Sequence, residues 1–330
     1  MPKLFRKYYF IFNKFFRTLN PRDIKILISY ILFFILLLYK FFYDDNKEIH
    51  INNAIPTWSE INHGFGILVN KYKYLIKKDK NIEEDTPIWV MWYQGIENAP
   101  PIVKSCIQSI ITNKAKHPVI ILSNNNLEKY IKLPSFIVEK FNKGFFSIQH
   151  FSDIIRMALL YKYGGYWIDA TYFINTPLTK VNTSFWTLKL NYNYCWTHSH
   201  PFINCSYSIN FMAVPKKSFF ATYGYNALLY YLKKYNHFIN YFLLDYIVYI
   251  AYINIKEFKE IINNLPFVNC NIFYLDGNLK SDYNKSDFCI YNKLAKSSRN
   301  QLMNGKNLTN YGYIIQKYKF KFESDNNNNL

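Results

Sequence analysis

Cysteine is scarce in this 330-residue chain, and what there is forms no pattern. Cys106, Cys195, Cys205, Cys270 and Cys289 are an odd set without the spacings that hold a metal, which argues for reduced thiols and against a disulfide framework. Acidic residues are also few. Against 40 Lys and Arg stand 22 Asp and Glu, a net charge of +18 that favours anionic partners: nucleotide diphosphates, acidic glycans and the phosphates of a lipid surface. No recognition helix, zinc finger or ribonucleoprotein motif accompanies that charge, so nucleic acid is set aside as a partner. The N-terminal apolar run is followed by no small-residue cleavage site, which sets aside a cleaved signal peptide.

What is present is a large apolar fraction, 50% of residues, enough core for one substantial domain with extensions. The most informative stretch is FSDIIRMALLYKYGGYWIDATYF, Phe151 to Phe173. Ser152 suits a helix N-cap, Asp153 suits the positive first turn, and Ile154, Ile155, Met157, Ala158, Leu159 and Leu160 form a broad buried face. Gly164 stops that helix, Gly165 frees the chain to turn, and Tyr166, Trp167 and Ile168 form a β-prone run that delivers Asp169 to a strand end. Ligands of open α/β sheets collect at the carboxyl ends of strands. Asp153 and Arg156, three apart, share a helix face and can both point to a pocket that Asp169 borders. The same spacing also fits a solvated surface pair worth about 0.2–0.5 kcal/mol.

Other segments fit the same organisation. Pro87 to Ser109 reads as an apolar strand, an aromatic turn containing Trp92, then Asn98 as N-cap with two prolines at the helix entry. Val119 to Leu122 reads as a second buried strand, and Asn124 to Asn126 as the start of a short helix. The alternation of strands and helices predicts an α/β fold with a largely parallel central sheet. Tyr241 begins the very apolar run YFLLDYIVYIAYI, which carries Asp245.

These residues resemble the capsular polysaccharide synthesis protein family, a relative of the DxD-motif glycosyltransferases, among them glycosyltransferase family 32, the mannosyltransferases of yeast outer-chain mannan and the clostridial glucosylating toxins. The resemblance lies in an SDxxR helix, then GG, two or three hydrophobic or aromatic residues and an acid. Asp153 and Asp169 stand 16 residues apart, as in the toxins. It covers roughly Pro87 to Leu265.

The resemblance implies a GT-A-like, Rossmann-type nucleotide-sugar domain with extra C-terminal helices. It implies a glycosyltransferase that moves a sugar from a nucleotide-sugar donor to a glycan or lipid-linked acceptor with retention of configuration, in capsular or surface polysaccharide synthesis. Asp153, Arg156 and Asp169 are its expected catalytic residues, and Trp92, Trp167 and Lys293 join them in holding the donor. Trp92 takes the place where relatives stack an aromatic on the base, although a Trp ending a central strand also fits plain core. Asp245 would orient the acceptor, although a helix acid satisfied by a neighbouring Tyr or Lys fits as well.

One departure concerns metal. Where relatives write DxD, this chain has Asp169, Ala170 and Thr171, so the second carboxylate is a neutral hydroxyl. A divalent cation, Mn²⁺ or Mg²⁺, needs oxygen ligands of high charge. Either Asp169 shares one with a later acid such as Asp276, Asp282 or Asp287, or basic groups such as Lys293 take over the charge. His198 and His200 flank a loop able to reach the site, with no Cys or acid nearby to complete a zinc pattern.

Residues 1–23 are basic, and Ile24 to Tyr43 approaches the ~20 apolar residues that span a bilayer. The expected layout is a basic segment 1–23, a membrane anchor helix 24–43, a stem 44–85 with a helix over Ile67 to Lys78, a transferase domain 86–320 and a disordered tail 321–330. The positive-inside rule sends the domain across the membrane, as in a lumenal Golgi-type enzyme of a eukaryote or its virus. In a bacterium, with its cytosolic donors, an interfacial anchor would keep the enzyme on the cytosolic face. Two rival functions stay open: a non-catalytic nucleotide-sugar or glycan-binding protein, and a basic membrane scaffold of a polysaccharide assembly.

Overall fold

The structure is a computed structural model, and it describes residues 56–190, 207–296 and 300–321. The expected basic segment and anchor, His198, His200 and nearly all of the tail lie outside the described residues. Among the described residues no helix is long and apolar enough to cross a membrane.

Helix α1, Trp58–Tyr72, opens on a capping box: Thr57 Oγ1 accepts from Glu60 N, and Glu60 Oε2 accepts from Thr57 N at 2.9 Å. Ile61, Phe65 and Val69 repeat every four residues, so one stripe of the helix is buried in the main core. The helix expected over Ile67 to Lys78 therefore begins nine residues earlier, and Lys73–Lys78 tighten into a 3-10 turn. Within the expected stem, residues 58–72 pack against the domain as part of it.

The central sheet is built from β1 (Ile88–Met91), β2 (Val119–Leu122), β3 (Gly164–Ile168), β5 (Trp186–Thr187) and β7 (Phe211–Pro215), in the order β2-β1-β3-β7-β5. Strands β4 (Tyr172–Ile174), β6 (Lys189–Leu190), β8 (Phe267–Val268) and β9 (Tyr291–Lys293) form two small side pairs, β4 with β9 and β6 with β8. β1 pairs in parallel with β2 and β3, whereas β7 runs antiparallel to both β3 and β5. The sheet is thus mixed: β1, β2, β3 and β5 share one direction, and β7 runs against them. A short apolar run such as FMAVP reads the same in either direction, so its sequence does not encode which way it pairs. β2 is also an edge strand among the described residues, with Val119, Ile120 and Ile121 only partly buried.

Side chains alternate across this sheet with a period of two. Trp89, Trp167, Met212 and Val214 face one core, with α1 and the long helices that follow β2 and β7. Ile88, Val90, Tyr166, Ile168, Phe211 and Ala213 face the other, with α2, Pro101–Thr112. Asn98 does not cap α2: Pro100 holds that position, and Asn98 Nδ2 donates to Gln94 O at 2.7 Å, closing the preceding 3-10 turn. After β2 come the short helices α3 (Leu127–Tyr130) and α4 (Ser135–Asn142), then α5 (Ile148–Tyr163). Ser147, not Ser152, caps α5, its side chain accepting from His150 N. Both serines suit a cap locally. Phe151, itself buried and stacked on Phe141 at 4.0 Å, anchors the turn ahead of Ser152 and carries the helix further back. Beyond β7 lie α6 (Phe219–Lys234), α7 (Leu243–Asn254) and α8 (Lys256–Asn264).

The expectation of reduced thiols fails for one pair. Cys270 and Cys289, 19 residues apart, are joined in a disulfide with their Cα atoms 5.9 Å apart, while buried Cys106 is free. The segments that follow the two cysteines meet where Lys293 N donates to Ile272 O at 2.7 Å, and no sequence spacing announces it.

The joint between α5 and β3 leaves no room for a side chain. Gly164 and Gly165 have φ of +71° and +93°, and a Cβ on Gly165 would lie 2.2 Å from the Pro87 carbonyl oxygen. Gly165→Ala is expected to destabilise the protein by roughly 1–3 kcal/mol. Gly66→Ala, in α1 with nothing within 4 Å, should instead leave stability unchanged or raise it by about 0.4–1 kcal/mol. Urea unfolding of the two variants measures both.

Candidate active site

Helix α5 feeds straight into β3, and simple lengths explain why residues 16 apart meet. From Asp153 to Gly164 the helix climbs about 16 Å, and from Gly164 to Asp169 the strand returns about 16 Å. Asp153 and Arg156 are thereby carried level with Asp169, at the carboxyl end of β3. There the chain makes a turn, in which Tyr172 N donates to Asp169 O at 3.0 Å, and enters β4. Strand β9 clamps that turn: Lys293 stands opposite Tyr172, and Leu294 N donates to Thr171 O at 3.0 Å.

The result is a charged knot. Lys293 Nζ lies 2.8 Å from Asp169 Oδ2 and 4.8 Å from the centre of the Tyr172 ring. Asp169 Oδ1 accepts from the Trp167 indole N–H at 2.9 Å and from Arg156 Nη2 at 3.3 Å. Arg156 Nη1 reaches Asp153 Oδ1 at 3.1 Å, and its guanidinium lies 5.0 Å from the Trp167 ring centre. Arg156 is 3% exposed and Asp153 9%, so this is not a solvated surface pair. Opposite charges so close and so shielded attract by about 4 kcal/mol or more before desolvation is counted.

Ionisation follows from these surroundings. Burial disfavours the charge on Asp169, but Lys293, Arg156 and the hydrogen bonds from Lys293 and Trp167 outweigh it and hold the carboxyl below its ordinary range. Asp153 goes the other way: burial pushes it up to about 7, with Arg156 opposing and Asp169 adding to the rise. Asp245, 3% exposed on α7, is pushed to about 8 by burial and by the nearby Asp153.

A cleft of about 690 Å³ opens over this knot, lined among others by Trp92, Asp153, Arg156, Trp167, Asp169 and Thr171. The indole nitrogen of Trp92 is buried there without a hydrogen-bond partner, and so is Nε of Arg156. Thus Trp92, Asp153, Arg156, Trp167, Asp169 and Thr171 share one wall, with Lys293 behind Asp169. Trp167 acts through its hydrogen bond to Asp169 and is 1% exposed. Asp245 does not line the cleft; it lies behind Asp153, and Tyr207 Oη donates to its backbone carbonyl at 2.6 Å.

The later acids are engaged elsewhere. Asp282 accepts from Asn304 and Asn307, Asp287 accepts from Asn310, and Asp276 Oδ1 accepts from Ala295 N at 2.8 Å. None of the three lines the cleft. Among the described residues no group of three or more His, Cys, Asp or Glu side chains converges. Sequence reasoning missed Tyr241 and Lys296, which also line the cleft. Lys296 lies within the YNKLAK run, and the pairing of β9 with β4 is what turns that run toward the site. A second cavity, of about 850 Å³, between Trp186, Pro266 and Tyr291, is lined by no carboxylate among the described residues.

The family model described as capsular polysaccharide synthesis protein matches residues 39–318, and the chain belongs to that family. The chain is similar to the O-glycosyltransferase braB of Annulohypoxylon truncatum, 31% identical over 103 residues, 28% of this chain and 24% of that protein. It is also similar to the O-glycosyltransferase PaGT of Phomopsis amygdali, 29% identical over 99 residues, 27% of this chain and 24% of that protein. The chain thus spans about a quarter of the length of these curated relatives. No solved structure matches it.

The two raised carboxyls give stability a definite pH dependence. Between the unfolded value near 3.8 and the folded values of about 7 and 8, the folded chain binds more protons than the unfolded one. Their contribution is therefore fully present below about pH 4 and is lost as pH rises toward 8. Asp245→Asn removes one of the two. Its stability relative to wild type is expected to rise by more than about 1 kcal/mol between pH 5 and pH 8, as measured by urea unfolding at each pH. A difference that stays flat over that range would show that Asp245 is not held protonated.

Proposed function

We propose that this protein is a glycosyltransferase with a GT-A-like domain, transferring a sugar from a nucleotide-sugar donor to a glycan or lipid-linked acceptor in capsular or surface polysaccharide synthesis. The observation that carries the reading is the knot of Asp153, Arg156 and Asp169 at the carboxyl end of β3, in a cleft that also presents an indole, within a chain of the capsular polysaccharide synthesis family. Names of the two fungal relatives support the same reaction class.

In this reading Trp92 stacks on the nucleotide base, and its unpaired indole N–H donates to the base or ribose. Asp153 and Arg156 hold hydroxyls of the donor sugar; Arg156, fixed between two carboxylates and an indole, loses little entropy on binding. Asp169 bonds the ribose or sugar from a position set by Trp167 and Lys293. The bond from the anomeric carbon to the phosphate oxygen breaks as the acceptor oxygen bonds to that carbon, and the acceptor's proton passes to the departing diphosphate. Both side-chain oxygens of Asp169 are engaged by cations or an N–H, which suits positioning and charge stabilisation rather than nucleophilic attack. Transfer with retention follows in this reading. Asp245, behind Asp153, acts on the acceptor side only through Asp153.

The Cys270–Cys289 disulfide favours an oxidising compartment for the domain, with residues 24–43 as the anchor and the lumenal or extracytoplasmic side as its place.

The test is turnover of a panel of nucleotide sugars by the full chain, with and without glycan acceptors. Arg156→Ala and Asp169→Asn are each expected to reduce transfer by about 10²–10³-fold. Trp92→Ala should raise the KM of the donor by about 5- to 100-fold, and Trp92→Phe should restore most of it. Binding of a donor without transfer or hydrolysis would favour the non-catalytic binding protein. Activity unchanged in Asp169→Asn would remove the site assignment.

A further inference from the structure

We infer that this cleft takes the donor's diphosphate without a divalent cation, the ammonium groups of Lys293 and Lys296 supplying the positive charge. This rests on the glycosyltransferase reading above and concerns how the same site handles charge.

A hard cation needs carboxylate oxygens with free lone pairs. Asp169 offers little: Oδ1 accepts from Trp167 at 2.9 Å and from Arg156 at 3.3 Å, and Oδ2 accepts from Lys293 at 2.8 Å, which leaves it a single open acceptor site, too few to hold such an ion alone. Thr171, in the place of a second acid, contributes only a hydroxyl. Asp153 faces Arg156 and is buried. Asp282 and Asp287 are engaged away from the cleft, and Asp276, which accepts from Ala295 N, does not line it. The described residues therefore do not fit a Mn²⁺ or Mg²⁺ site.

They do fit an anion. Arg156, Lys293 and Lys296 face Asp153 and Asp169, so positive groups outnumber negative ones, which repels a dication and attracts a diphosphate. The position of Lys293 is built rather than incidental. Its N–H donates to Ile272 O at 2.7 Å, the next residue donates to Thr171 O, and Ala295 N donates to Asp276 Oδ1 at 2.8 Å. Three successive backbone groups are thus tied to two segments, residues 272–276 and the turn at Thr171. Lys296 lines the cleft, where an ammonium's donors reach phosphate oxygens, while Lys293, which does not line it, acts through the positive charge it holds 2.8 Å from Asp169.

The experiment is calorimetric titration of the full chain with UDP, GDP, CDP and ADP, in EDTA and again in Mn²⁺. At least one nucleoside diphosphate should bind in EDTA with a Kd within about threefold of that in Mn²⁺, and Lys293→Met should weaken that binding by roughly tenfold or more. Lys293→Arg should keep most of it, and circular dichroism and thermal melts check that both variants fold. Lys296→Met is expected to weaken binding in the same direction, and as a change beside the ion pair it leaves Asp169 partnered. Binding that needs Mn²⁺ overturns this inference and leaves the glycosyltransferase reading standing. Binding in EDTA that survives both lysine substitutions also overturns it. No binding by any of the four under either condition overturns both.

Discussion

A carboxylate placed at the end of a buried strand must be neutralised, and the way Asp169 is neutralised organises much of this protein. Lys293 arrives from more than a hundred residues downstream, Arg156 from the helix before the strand, and the Trp167 indole from the strand itself. Each partner is held by a different element, so the site exists only when α5, β3, β4 and β9 are all in place. Removing one cation would leave a charge in surroundings that disfavour it, which is costlier than the ion pair is valuable. The knot is therefore both a site and a joint of the fold.

The scaffold serves that joint. α5 and β3 are linked by two glycines in the left-handed region, which lets helix and strand lie back to back without a loop. Two aromatic-rich cores then press on the sheet from its two faces, with Trp89 and Trp167 on one side and Tyr166 and Phe211 on the other. α1 adds its stripe to the first core, close to α6 and α7, and the disulfide holds the approach to β9 beside the second. Rigid support of this kind suits a reaction that relies on positioning and charge more than on a covalent intermediate.

Two carboxyls, Asp153 in the lining of the cleft and Asp245 behind it, are in tension with each other. Asp153 has Arg156 as its cation, whereas Asp245 sits deeper and is pushed upward by Asp153 itself. The gradient runs from an ionised Asp169 at the cleft to carboxyls that take up protons more readily behind it. Donor hydroxyls would meet the ionised end.

Much of this was readable in the residues. The apolar periodicity of α5, the glycines that end it and the β-prone run before Asp169 are local features, and each was legible because short-range sterics and burial determine it. The convergence of Asp153, Arg156 and Asp169 was legible too, since helix rise and strand rise over 16 residues leave little choice. What the residues did not reveal are relations between distant segments: the antiparallel direction of β7, the edge position of β2, the disulfide, the incorporation of α1 into the core, and the fact that Asp276, Asp282 and Asp287 turn to other partners. A hydrophobic strand carries no mark of its neighbour's direction, and an Asp or a Cys carries no mark of which group will reach it. The sequence alone determined where a charged site would form. Tertiary pairing, by setting β9 against β4, decided that a lysine would stand beside Asp169.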